Sequence, residues 1–280
     1  MIRVPLGPAL PELHGPDSTG AKERAAAIAF FADAANKDEA FPFKAYKLDA
    51  VKRALNETFG FKCAYCESSF GETQPVDIEH YRPKSGFAID RKLVKPGYYW
   101  LAASWGNLLP SCIDCNRARE QVIVGGATGT AGKANQFPVR SEKRRARKPG
   151  QEAKEGRLLL HPSLDQPERH LEFIDDGIVR PRASSTGRQS AKGGASIEVY
   201  ALQRDGVVRG RKAREKLMRV EIGRARKAAM RMNQPGADAF DFAADLRESL
   251  SMLSDFIAPG APYTGMARQM IQPVIEELTG

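Results

Sequence analysis

Three parts of this chain carry helix signals in the pattern of their apolar and polar residues. The alanine-rich residues 21–31 predict a helix by propensity, and the apolar positions within 46–59 fall roughly on one helix face. Gly60 then predicts the end of that second helix. From residue 197 onward the pattern stays helical, first in a basic segment and then in an acidic, apolar one at 237–257.

Strand signals are shorter. Residues 76–79 predict a short strand, and residues 171–174 and 178–180, joined by an Asp-Gly turn, predict a β-hairpin. The second Cys-x-x-Cys pair, at residues 112–115, is interpreted as the opening of a helix, whereas the first pair lies in a turn after the helix that ends at Gly60.

Three stretches lack regular periodicity. Residues 1–20, rich in Pro and Gly, predict an extended arm. Residues 121–150 end in the charge run SEKRRARKPG and predict a solvated loop, and the small polar residues 183–195 predict a linker.

Together these elements predict an α+β protein that is mostly helical. We expect four segments: an N-terminal arm with helices (1–60), a core with a four-cysteine zinc site (61–140), a basic loop with a β-hairpin extension (141–195) and a C-terminal helical region (196–280). A chain of 280 residues is long enough to bury a substantial core.

The composition and the charge of the chain indicate in which compartment it works and which class of partner it binds. The hydrophobic fraction of 42% is ordinary for a soluble globular protein, and no apolar run approaches the ~18 residues that span a bilayer. The N-terminus has no secretory apolar core, so we expect a cytoplasmic protein without a membrane partner. The net charge of +9 and the pI near 9.4 favour a polyanionic partner.

All four cysteines lie in two Cys-x-x-Cys pairs, Cys63 with Cys66 and Cys112 with Cys115. Each such turn brings two thiolates to one metal, and four thiolates satisfy tetrahedral zinc. Because every ligand position is filled, the predicted zinc is structural. The alternatives are a redox dithiol or incidental thiols, but a redox pair does not need a second pair.

Acidic, histidine and asparagine side chains lie between and beside the cysteine pairs. Hydrolysis of a phosphodiester needs a nucleophilic water, which a neutral His can deprotonate, and positive charge, which a divalent cation supplies. Glu79 and His80 can offer both, and the carbonyl oxygen of Asn116 can complete the cation site. Asp77 shares a strand face with Glu79 and is a second candidate for the metal, or for a backbone amide.

The order His80, Asn107, Asn116 within two cysteine pairs resembles the HNH endonucleases, whose ββα-metal core binds one catalytic divalent ion. The resemblance implies such a core within residues 61–140, embedded in the N- and C-terminal helices. It implies that His80 is the general base and that Asn107 pins the loop and orients His80. Glu79 and Asn116 would hold Mg²⁺ or Mn²⁺. Many members have His where Asn116 stands, and this exchange favours hard cations.

Several longer phrases are similar to the PtuB-type HNH subunit of Septu and retron-associated anti-phage systems. They lie at residues 62–67, 77–84, 107–112, 137–138, 167–173, 196–199 and 263–268. This resemblance covers most of the chain from about residue 46. It implies a nuclease that cleaves nucleic acid, DNA in preference to RNA, beside an ATPase partner in phage defence.

Basic side chains near the predicted site are candidates for phosphate contacts. They are Arg82, Lys84, Arg117 and Arg119, with solvated surface as the alternative for each. The basic residues of 204–231 lie all round their predicted helix and form a nucleic-acid face, a partner surface or plain solvated surface. For His161 and His170 we expect packing or hydrogen bonding, with a substrate contact as the alternative.

Two other functions compete with the nuclease. Zinc-dependent nucleobase deaminases require His-x-Glu with the His on zinc, whereas here Glu79 precedes His80 and a second cysteine pair fills the zinc, which excludes that class. The remaining alternative is a non-catalytic, zinc-stabilised nucleic-acid-binding or adaptor module. The presence of Glu79, His80 and Asn116 together favours the nuclease.

Overall fold

The protein is a mixed α/β molecule in a computed structural model that describes residues 1–70, 76–232 and 239–279. The α-helices described are α1 (Pro11–His14), α2 (Thr19–Ala32), α3 (Asp49–Phe59), α4 (Ile113–Asn116), α5 (Ala191–Val199), α6 (Asp205–Met232), α7 (Ala239–Ile257) and α8 (Thr264–Thr279). The strands form antiparallel pairs: β1 (Asp77–His80) with β4 (Leu108–Ser111), β2 (Phe87–Ile89) with β3 (Lys92–Val94), β5 (Arg119–Val122) with β6 (Thr128–Ala131), and β7 (Leu171–Ile174) with β8 (Ile178–Pro181).

The two predicted N-terminal helices are confirmed as α2 and α3. Ser18 caps α2 by accepting a hydrogen bond from the Ala21 amide at 3.1 Å, and Gly60 ends α3 in the left-handed conformation at φ 60°. The predicted extended arm is only partly right, because it contains α1. Leu13 is buried, and the Val4 amide donates to the Pro162 carbonyl at 2.9 Å, so the segment packs along the protein.

The prediction of a solvated loop at residues 121–150 is only partly right, because most of these residues are exposed or half-buried but the segment also contains strands and buried side chains. The segment contributes to the β5–β6 hairpin, and Lys133, Phe137 and Arg145 are buried. The Arg145 guanidinium donates to Glu142 and to the hydroxyl of Tyr98, so its charge is paired inside the protein. The charge run therefore contains one buried, hydrogen-bonded arginine, Arg145, which its composition does not predict.

The predicted hairpin at 171–180 is confirmed as β7–β8, whereas the predicted linker at 183–195 is wrong in its second half. Helix α5 begins at Ala191, where Ser190 accepts a hydrogen bond from the Gly193 amide at 3.1 Å. A side chain at Gly193 would put its Cβ 2.1 Å from the His170 carbonyl oxygen. The small residues here allow close packing, and they do not mark a flexible connection.

The helical pattern predicted from residue 197 onward is confirmed in α5 to α8, although residues 233–238, which include the start of the acidic segment, and residue 280 lie outside the described residues. Helices α7 and α8 pack against α6. The interpretation of the basic segment as exposed all round its helix is wrong at Arg204 and Arg211, which are buried. Arg211 donates to the Leu202 carbonyl at 2.8 Å and lies over the Phe173 ring.

One large apolar cluster joins distant parts of the chain. It includes Phe59, Trp100, Leu159 and Leu253, which come from all four predicted segments. The four-part division remains a prediction. Within the ranges that the structure describes, no helix is both long enough and apolar enough to cross a membrane.

Candidate metal centre and active site

The four cysteines meet in one buried cluster. Cys63 and Cys66 lie in the turn after α3, Cys112 precedes α4 and Cys115 lies within it. Their Sγ atoms all lie within 4.8 Å of one another, and those of Cys66 and Cys112 are 3.8 Å apart. A tetrahedron of ~2.3 Å Zn–S bonds has edges of about 3.8 Å, so the donor set fits zinc.

Arg204, just before α6, completes the surroundings of this cluster. Its guanidinium donates to the Sγ atoms of Cys66, Cys112 and Cys115 at 3.2, 3.4 and 3.3 Å. Four thiolates around Zn²⁺ carry a net charge of −2, and the buried guanidinium offsets part of it. Sequence reasoning missed this residue because 89 positions separate it from Cys115, and no local motif marks it.

Strand β1 carries the predicted catalytic residues and pairs with β4, which runs into α4. The register places Asp77 opposite Ser111 and His80 opposite Leu108. Asp77 and Glu79 share one strand face by the two-residue repeat of a strand. The order strand, strand, helix is therefore present, and the cysteine cluster holds the junction between β4 and α4 in place.

His80 is buried at the end of β1. Its Nε2–H donates to the Ala102 carbonyl at 3.0 Å, and its ring meets the Tyr46 ring edge-on at 4.5 Å. Burial, aided by the positive charge of Lys84, lowers the pKa of His80 well below its usual range. The imidazole is therefore neutral at pH 7, with Nδ1 as the nitrogen that can accept a proton.

Asn107 hydrogen-bonds two segments that flank His80 in space, the one directly after β1 and the loop at Leu101. Its Oδ1 accepts from the Arg82 amide at 2.8 Å, while its Nδ2 donates to the carbonyls of Arg82 and Leu101 at 3.1 and 3.2 Å. Leu101 directly precedes Ala102, whose carbonyl binds His80. Asn107 thus ties the strand that carries His80 to the loop that orients its ring.

The two predicted metal ligands have protein partners in this structure. Buried Glu79 forms an ion pair with Lys133, and burial raises the pKa of its carboxyl, although the Lys133 charge opposes this shift. Asn116 donates through Nδ2 to Oδ2 of Asp77 at 3.0 Å. Arg117 binds both Asp77 oxygens at 2.8 Å, so among the residues that the structure describes the partners of the Asp77 carboxylate are side chains and not a backbone amide.

A cavity of about 530 Å³ opens over this face. Among its lining residues are these predicted ones: Asp77, Glu79, His80, Lys84, Asn116 and Arg117. Oxygen donors of this kind fit a hard divalent cation. Tyr46, Lys47 and Lys52 also line the cavity, and sequence reasoning missed them because they lie in a different segment that carries no catalytic motif.

Comparison with known proteins adds independent information. No family model matches the chain. The chain is 38% identical over 282 residues to the Septu protein PtuB of Bacillus mycoides (strain KBAB4), a match that covers 96% of this chain and 88% of that protein. The chain belongs to the PtuB family of Septu proteins. It is therefore a Septu-type defence protein, and the predicted PtuB resemblance is confirmed at this level.

Two further relatives are more partial. The Septu protein PtuB of Bacillus thuringiensis is 36% identical over 67 residues, which cover 24% of this PtuB-family chain and 22% of that protein. The Septu protein PtuA of B. mycoides (strain KBAB4) is 30% identical over 157 residues, 55% of this chain but 19% of PtuA. Both matches are to Septu proteins.

The other predicted phosphate contacts of this PtuB-family chain lie outside the cavity lining. Arg82 pairs with buried Glu155 at 2.5 Å, and Arg119 pairs with Asp114 at 2.8 Å. Lys84 does line the cavity, with its Nζ 4.7 Å from the centre of the Tyr46 ring.

The expected roles of His161 and His170 are confirmed. His170 hydrogen-bonds the Ser190 hydroxyl through Nδ1 at 2.7 Å. His161 is fully buried, donates through Nε2–H to the Gly106 carbonyl at 3.0 Å and accepts at Nδ1 from the Ser163 amide at 3.1 Å. A second proton on His161 would remove the acceptor that Ser163 uses.

We expect His161 to make stability fall on acidification. Burial lowers the pKa of His161 from 6.5 to about 4, so the fold favours the neutral ring. Above pH 6.5 the ring is neutral in both the folded and the unfolded state. As the pH falls below 6.5 the unfolded state is protonated first, and the resulting loss of folding free energy reaches about 3 kcal/mol near pH 4. The measurement is the free energy of unfolding in urea at pH 7 and pH 4, for wild type and His161→Gln. An equal pH dependence in both proteins would contradict the assignment.

Proposed function

We propose that this PtuB-family protein is a metal-dependent HNH endonuclease that hydrolyses phosphodiester bonds in nucleic acid, DNA in preference to RNA. The observation that carries the proposal is the state of His80. Its imidazole is neutral and its Nε2 is engaged by Ala102, which leaves Nδ1 to take a proton from water. A neutral imidazole with one unengaged nitrogen beside oxygen donors is an arrangement that serves phosphodiester hydrolysis.

Glu79 and Asn116 are the proposed ligands of the catalytic ion, with Asp77 as a further oxygen donor on the same strand face. Mg²⁺ or Mn²⁺ held there would supply positive charge to the phosphate and the leaving oxygen. Asn107 keeps the His80 ring in one orientation through its bonds to Arg82 and Leu101. Such fixed placement of the reacting groups is a large part of the catalytic effect.

The charge around the cavity supports a polyanionic substrate. Lys47, Lys52 and Lys84 line it, and the whole chain carries a net charge of +9. We assign phosphate binding to these lysines first. Arg117 is a further candidate at the cavity wall, and Arg82 and Arg119 remain candidates from the sequence, each with a carboxylate partner.

We propose that the protein acts in the cytoplasm as the effector nuclease of an anti-phage system, beside the ATPase partner that the PtuB-type resemblance implies. The similarity to PtuA over 157 residues is consistent with a shared Septu origin.

A second candidate function is a non-catalytic nucleic-acid-binding or adaptor module. The observation that favours it is the pairing of the proposed ligands with protein groups: Glu79 with Lys133, and Asn116 with Asp77. The two candidate functions are distinguished by strand cleavage, which only the endonuclease predicts.

The test is incubation of supercoiled plasmid with the purified, zinc-containing protein in Mg²⁺ or Mn²⁺, alone and with its natural partner. We expect nicked or linear DNA that depends on the added ion and disappears with a chelator that leaves the zinc bound. DNA binding without cleavage under all these conditions would favour the adaptor. Single-stranded DNA and RNA of the same length test the substrate class.

A further inference from the structure

Lys133 is a buried lysine whose side chain reaches the proposed catalytic strand. It is fully buried, forms an ion pair with Glu79 and donates to the His80 carbonyl at 3.0 Å. Its own amide donates to the Cys115 carbonyl at 2.9 Å, and the Ala134 amide donates to the carbonyl of Asn116. The residue therefore joins the helix of the cysteine cluster to the strand that carries His80.

The backbone around Lys133 leaves little freedom for its side chain. Gly132, directly before it, has φ 117°, and a Cβ there would lie 2.0 Å from the Arg117 carbonyl oxygen. Only glycine fits this close approach. The position of the ammonium group is thus set by the chain on both sides of Lys133 as well as by its two acceptors.

A buried ammonium is unfavourable unless an anion and further hydrogen bonds compensate it. Glu79 is that anion, and it is also the proposed ligand of the catalytic ion. The Lys133 ammonium and a divalent ion would both bind the Glu79 carboxylate, and the two cations repel each other at short range. Glu79 therefore has an internal cation as its partner in the metal-free protein.

We propose that Lys133 neutralises Glu79 in the metal-free protein and competes with the catalytic divalent ion for this carboxylate. The inference rests on the proposed nuclease site. An ammonium group has three donors, so Lys133 keeps its bond to the His80 carbonyl when the ion binds Glu79. The consequence is a site that stays folded without the ion and binds it more weakly than a bare carboxylate would.

The test compares the melting temperatures of zinc-loaded full-length wild type and Lys133→Met across a Mn²⁺ titration. We expect Lys133→Met to melt lower than wild type without Mn²⁺, because Glu79 has lost its partner. Added Mn²⁺ should restore its melting temperature, with half-saturation at a concentration at least tenfold lower than for wild type. If Lys133→Met does not fold, Lys133→Gln, which can still donate to the His80 carbonyl, gives the same comparison.

Two controls separate this effect from a general loss of packing. In Glu79→Gln/Lys133→Met, Mn²⁺ should no longer raise the melting temperature. Lys62 is a matched buried lysine that donates to the neutral groups Ala261 carbonyl and Thr264 hydroxyl. Lys62→Met should melt lower than wild type and show the wild-type response to Mn²⁺.

The outcomes distinguish a failure of the proposed competition by Lys133 from a failure of the proposed nuclease site itself. If Glu79→Gln abolishes the wild-type response to Mn²⁺ but Lys133→Met binds Mn²⁺ no more tightly than wild type, the competition by Lys133 is overturned and the metal site stands. If neither wild type nor Lys133→Met responds to Mn²⁺ and DNA is not cleaved, the proposed nuclease site fails as well.

Discussion

Replacing His80 with alanine is expected to reduce DNA cleavage by about 10²–10⁴-fold, the usual contribution of a positioned general base. The three remaining histidines lie outside the cavity lining, and His14 is exposed in α1. His161 is committed to Gly106 and Ser163, and His170 to Ser190. The measurement is the initial rate of plasmid nicking at saturating Mg²⁺ or Mn²⁺, with zinc content measured on the same sample.

His170→Ala is the matched control for this prediction, because it removes a partly buried, hydrogen-bonded histidine outside the cavity lining. We expect it to cleave at the wild-type rate. Wild-type cleavage by a folded, zinc-containing His80→Ala protein would show that His80 is not the base. Loss of zinc in that variant would instead point to a structural effect. Asn107→Ala, which keeps the His80 imidazole but removes the hydrogen bonds to Arg82 and Leu101, would then test whether the orientation of the ring matters.

Cys112→Ser is expected to lose the zinc and the cooperative unfolding of the core. Cys112 lies at the junction of β4 and α4, and its thiol contacts both Cys66 and Arg204. Structural zinc contributes about 10–16 kcal/mol in zinc-finger peptides, which is as large as the total stability of most domains. Without a fourth ligand, the guanidinium of Arg204 also remains buried with less negative charge around it.

Zinc per chain, measured by elemental analysis, and the thermal unfolding curve test this prediction. Ser111→Ala is the neighbouring control, because it removes one hydroxyl and leaves all four thiolates in place. We expect it to keep its zinc. An unchanged melting temperature in Cys112→Ser would remove the structural role of the cluster.

Composition alone gives incomplete predictions for two segments, the charge run at 141–150 and the small residues near 193. The run at 141–150 reads as solvated surface, yet Arg145 is buried because Glu142 and Tyr98 receive its donors. The glycines near 193 read as a linker, yet Gly193 is small because the His170 carbonyl lies against it. Glu142 is a local partner of Arg145, but Tyr98 is 47 positions away and the His170 carbonyl belongs to a different segment from Gly193, so neither of these contacts can be read from the local sequence.

The sequence by itself determined the elements and residues whose signals are local. Helices α2 and α3, the β7–β8 hairpin and the cysteine pairs follow from helix propensity, periodicity, turn residues and ligand spacing, which act over a few residues. Only the tertiary structure decided which charged side chains, Lys133 and Arg204 among them, are buried beside the catalytic strand and the cysteine cluster. Lys133 meets the His80 carbonyl across 53 positions, and Arg204 meets Cys66 across 138. Electrostatic pairing depends on distance in space, and no repeat along the chain encodes it.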